Sequence, residues 1–107
     1  MPGISDSSTI DVIAQDSAGE FIVVMVEDRP WDTDPAQESQ LRAKFDVYTE
    51  FVHSGGLIRE CPEAEGEPVW VQLDCVDEPT DAIAAVVEEA AERLDGLGIG
   101  FALNVLS

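Results

Sequence analysis

The sequence predicts an α+β fold, a two-layer sandwich in which a four-stranded sheet carries two helices in the element order β-β-α-β-α-β. Three observations carry this. Two short apolar runs flank a turn signal near the start. Two longer stretches place apolar residues three or four positions apart, and each leads into a further run of β-preferring residues.

Residues 1–9 are small and polar without periodicity and read as a flexible leader, leaving 10–107 as one α+β domain. Ile10 to Gln15 alternates in character, Asp16-Ser17-Ala18-Gly19 is turn chemistry, and Phe21 to Val26 is a six-residue apolar run. Together they predict a hairpin with Gly19 at a positive-φ position. Asp34 with Pro35 and Gln37 has the spacing of a capping box at a helix start. Leu41, Phe45, Tyr48 and Val52 form one stripe behind it, and Gly55-Gly56 stops the helix.

Residues 61–68 combine two prolines, a glycine and three glutamates and read as a solvated loop. Val69, Val71, Leu73 and Cys75 then alternate with Trp70, Gln72 and Asp74, a strand with one apolar and one mixed face. Thr80 caps a second helix whose apolar side runs from Ile83 through Val86, Val87, Ala90, Ala91 and Leu94 to Leu97, closed by Gly96 or Gly98. Phe101 to Leu106 is the fourth strand. The Phe21–Val26 run is apolar on both faces, so two helices leave part of the sheet's second face, with Ile22, Val24 and Val26, to be covered by loops or by a C2 homodimer.

With 23 acidic residues against 5 basic ones, the formal net charge is −18 and Lys44 is the sole lysine. Such a surface repels phosphate backbones and anionic membranes, which disfavours nucleic-acid and membrane partners. Two readings of the acidity remain open: solubility or salt adaptation, or a face shaped for a basic protein partner. The start of the chain lacks the basic and apolar regions of a secretory signal, and no run approaches 18 apolar residues, which points to the cytoplasm. Cys61 and Cys75 are expected to be free thiols, Cys75 in the core and Cys61 in a loop.

Ile10-Asp11, Asp16 with Gly19, Asp28 with Trp31, Leu41, Lys44, Tyr48, Phe51, Ser54-Gly55, Pro62 with Ala64 and Gly66, and Pro79 span nearly the whole chain. In order and spacing these landmarks resemble a family of small bacterial proteins that is known as a domain of unknown function. Its members are richer in lysine, which implies that the acidity belongs to this lineage. The resemblance implies no activity.

Catalytic signals are sparse. His53 is the single histidine and falls in the last turn of the first helix, where the helix dipole favours an imidazolium. Nothing nearby marks a base with an orienting partner, so no catalytic residue is assigned. Asp28, Asp32 and Asp34 lack the order of a calcium loop, and no metal ligand or cofactor is assigned either. Gly96, Gly98 and Gly100 lie between a helix and a strand, the reverse of a phosphate-binding order.

Trp31 is the distinctive residue, an aromatic among Asp28, Arg29 and Asp32 in a polar loop. It either caps the end of the core or stands exposed as an anchor for binding. Asp28, Trp31 and Asp32 are therefore the candidate binding residues. The leading functional expectation is a noncatalytic acidic binding or regulatory module acting through a protein partner. A small-ligand or enzymatic cleft near Trp31 is the alternative.

Overall fold

The computed structural model describes Ile10 and residues 12–106. The expected leader and Asp11 lie outside the described residues. Strand β1 (Val12–Gln15) and strand β2 (Phe21–Glu27) pair antiparallel as the predicted hairpin. Asp16 organises the turn: its carboxylate accepts from the backbone N–H groups of Ala18 and Glu20, both at 2.9 Å. Gly19 takes φ +86°, a conformation that a side chain would strain.

Helix α1 (Gln37–His53), helix α2 (Gly56–Glu60) and a 3₁₀ turn over Pro62–Ala64 lead to strand β3 (Val69–Cys75). Helix α3 (Asp81–Gly96) leads to strand β4 (Gly100–Val105). The sheet order is β1-β2-β3-β4, with β2, β3 and β4 mutually parallel. Each parallel neighbour is thus reached through a helical crossover, as parallel pairing requires.

In register, Phe21, Val23 and Met25 stand beside Val69, Val71 and Leu73, and Glu27 beside Cys75. This is the helix side, because most of these residues are buried in one cluster with Leu41, Phe45 and Tyr48 of α1 and Ile83, Val86 and Leu94 of α3. Tyr48 closes the layer by donating its hydroxyl to the Val24 carbonyl at 2.7 Å. Lys44 is fully buried, its Nζ 5.7 Å from the centre of the Tyr48 ring. The opposite face is amphipathic. Val24 is buried and Ile22 and Val26 are half-buried, while Val12 and Trp70 are exposed.

Several expectations need correction. Gly55, at φ +90°, does end α1, but the chain turns at once into the unforeseen helix α2, whose Leu57 joins the core. The supposedly solvated loop buries Ala64 in its 3₁₀ turn. At the far end of α3, Leu97 is 40% exposed, because the helix stops at Gly96 before that position can return to the sheet. Both cysteines are free, Cys75 buried and Cys61 half-buried. Burial pushes the Cys75 thiol up above its ordinary range.

Candidate functional site

An open parallel sheet with helices on both faces has a crevice where the strand order reverses. Here the order runs straight from β1 to β4 with both long helices on one side, so no such crevice arises. The carboxyl ends of β2 and β3 still gather the loops at which the helices begin. That end of the molecule holds most of the polar residues built into the fold.

Its centre is the last residue of β2. The parity of the strand turns Glu27 toward the core, where it is 2% exposed. A carboxylate there must be paired, since an isolated buried charge is costly. Arg29 grips it with two parallel bonds, Nε to Oε1 at 2.9 Å and Nη2 to Oε2 at 2.8 Å, and adds its backbone N–H to Oε1 at 2.9 Å. The same guanidinium reaches Asp34 Oδ2 at 3.2 Å and Gln40 Oε1 at 2.8 Å, tying the end of β2 to the start of α1. The hydrogen bond to Glu27 is the largest influence that holds the Arg29 pKa above its ordinary value.

The start of α1 differs from a capping box. The N-cap position is Ala36, which offers no side-chain cap; Asp34 Oδ1 accepts from the Ala36 N–H at 2.8 Å in the turn before the helix, while Gln37 turns inward. Its Nε2 donates to Glu27 Oε2 at 3.2 Å and to the Pro30 carbonyl at 3.1 Å. Both partners are acceptors, which fixes the orientation of the amide. Gln37 is 2% exposed, and its Oε1 finds no donor among the described residues.

Trp31 is 7% exposed and caps the core; it is not an open anchor. Its indole N–H donates to the Asp77 carbonyl at 3.1 Å, joining the loop after β2 to the loop after β3. The exposed tryptophan is Trp70, whose ring lies against Gly100 and whose Nε1 donates to Glu20 Oε2 at 3.0 Å. Asp28 and Asp32 are exposed beside the buried Trp31, and Asp32 holds φ +68°.

Between the starts of α1 and α3 lies a depression of about 270 Å³. Asp32, Asp34, Gln37 and Glu38 line one side, Thr80, Ala82 and Ile83 the other. Thr80 caps α3 by accepting from the Ile83 N–H at 3.3 Å. Apart from backbone groups already capped, the polar lining consists of carboxylates, a hydroxyl and an amide. Sequence reasoning found Asp32, Thr80 and the helix start. It missed Glu27, Arg29, Gln37 and Glu38, although Arg29 as the one cation between Glu27 and Asp34 was a usable signal. A second hollow of about 230 Å³ runs between α1 and α3 over Phe45, Val86 and Ala90. Its rim charges are already matched, Arg42 to Glu89 at 3.2 Å and Arg93 to Asp46 at 2.7 Å.

The exposed His53 ends α1, as its position in the sequence suggested. Among the described residues, no group of three or more His, Cys, Asp or Glu side chains is placed to hold a metal ion. No helix among them is long and apolar enough to cross a membrane.

The architecture is that of a two-layer α+β protein with a mixed four-stranded sheet. The chain belongs to a family of unknown function, DUF6572, whose model matches residues 2–107. No curated protein and no solved structure matches it.

Proposed function

We propose that the protein is a noncatalytic binding module that receives a basic side chain of a protein partner in the depression between the starts of α1 and α3. The observation that carries this reading is the acceptor-rich lining. Asp32, Asp34 and Glu38 surround a hollow that also includes Gln37, whose buried Oε1 has no donor among the described residues. A lysine or arginine side chain adds charge and N–H groups to carboxylates of which Asp34 and Glu38 already share an arginine of this chain, Arg29 and Arg42 respectively.

Charge across the molecule supports the same reading. Arg29, Arg42 and Arg93 each bridge to carboxylates of this chain, and Lys44 is buried. Arg59 turns back to the Ser54 carbonyl at 3.5 Å. The remaining acidic surface is therefore presented to solvent with little local neutralisation, which steers a basic partner and speeds its encounter. The small-ligand alternative is weaker, because 270 Å³ falls just below the roughly 300–1,000 Å³ of ordinary ligand pockets and the lining is chiefly polar.

The test is titration of a lysine- and arginine-rich peptide into the protein at low ionic strength. Asp32→Asn and Glu38→Gln are each expected to weaken binding by about threefold to tenfold. Glu92→Gln, on the exposed side of α3, removes the same charge and is expected to change it far less. Equal effects from all three substitutions would show a diffuse charge effect and defeat the site, and absence of binding would defeat the function.

A further inference from the structure

The charge of this chain is unevenly spread. In a sequence that is 26% charged, residues 97 to 107 contain no charged side chain. Strand β4 runs through that segment and, among the described residues, has β3 as its one neighbour, so that none of them pairs with its outer edge along Gly100–Val105. Open edges are normally protected with lysine, proline or inward charges, because their free N–H and C=O groups invite another strand. β4 has none of these.

A second observation falls on the same strand. Leu103 is in register with Leu73, so both point to the helix side of the sheet. Leu73 is fully buried, yet Leu103 is 41% exposed, because the helix layer stops short of the edge. An apolar side chain on the core side of a sheet is left without cover beside an unprotected edge.

We propose that β4 pairs antiparallel with β4 of a second copy across a twofold axis, joining two four-stranded sheets into one continuous sheet. An axis normal to the sheet through Leu103 sets Leu103 against its own counterpart and Phe101 against Val105 on the helix side, with Ala102 against Asn104 on the other face. No charge meets a charge in that pairing. Charge also selects the occupant. A basic strand gains nothing from an uncharged edge when acidic surface lies elsewhere, whereas a second body of charge −18 can approach only where charge is absent. The pairing uses none of the residues that line the acidic depression, so it stands or falls apart from the binding reading.

Sedimentation equilibrium at about 0.1 M and about 1 M sodium chloride tests it, since the Debye length falls from about 10 Å to about 3 Å across that range. The wild-type chain is expected to reach twice its own mass, more completely at the higher salt. Leu103→Asp, which sets two like charges face to face, is expected to raise the dissociation constant about tenfold or more. Hydrogen exchange on the wild type provides a readout that needs no variant: amides within Gly100–Val105 should exchange more slowly as protein concentration rises. A wild-type monomer at 1 M salt overturns the proposal. So does a dimer unaffected by a folded Leu103→Asp variant, or exchange in β4 that ignores concentration.

Discussion

Glu27 and Arg29 show how one buried charge organises an end of this molecule. The carboxylate cannot reach water, and the guanidinium, whose side chain is 30% exposed, is what makes its burial tolerable. Removing one member of a buried pair costs more than the pair itself contributes, since the other charge is left stranded. Arg29→Ala should therefore destabilise the fold by about 3 kcal/mol, read by urea unfolding. Adding Glu27→Gln to that variant should recover part of the loss, because an amide is cheaper to bury than an unpaired carboxylate. Strictly additive losses would show that the two side chains act independently and would sink this account. The pair was hidden in the sequence for a physical reason. The parity that turns Glu27 inward is clear only once β2 is known to continue beyond Val26, and the apolar run ends there. Gln37 was misread for a related reason: the capping-box spacing is local, but the buried acceptor that draws the amide inward arrives from β2.

At the level of elements, alternation and helical spacing made β2, β3 and the two long helices readable, because each keeps one face in the core. Helix α2 was not readable. It spans five residues behind a glycine pair, and its one fully buried apolar side chain, Leu57, sets up no period. The mutual approach of β3 and β4 was equally invisible, although Gly100 is its consequence. A Cβ at Gly100 would stand 2.5 Å from Cε3 of Trp70, inside any permitted contact. Gly100→Ala should therefore lift the indole off the sheet and cost about 1–3 kcal/mol. The Trp70 hydrogen bond to Glu20 should be lost with it. With Trp31 buried, quenching of tryptophan fluorescence by acrylamide reports mainly on Trp70 and should increase in the variant. A variant with unchanged quenching and stability would mean that the ring moves aside without cost.

For the whole molecule, electrostatics sets two opposing responses to salt, and their sizes decide which one prevails. Screening weakens the ion pairs that link α1 to α3, Arg42 with Glu89 and Arg93 with Asp46. All four side chains are about half exposed or more, and pairs of that kind contribute about 0–1 kcal/mol each. Screening also relieves repulsion within a small body whose acidic residues outnumber its basic ones 23 to 5. The second effect is summed over many like-charged pairs and acts across separations up to about 10 Å, the Debye length at 0.1 M, so it outweighs two surface bridges. The melting temperature should therefore rise between about 0.01 M and about 1 M sodium chloride. Pairing through β4 would also raise it at high salt, but that contribution depends on protein concentration, whereas relief of repulsion within one chain does not. Melts at two protein concentrations separate the two. A melting temperature that rises with salt equally at both concentrations isolates the intramolecular effect. One that stays unmoved by salt at the lower concentration would show that the acidic residues are too widely spaced to strain the fold.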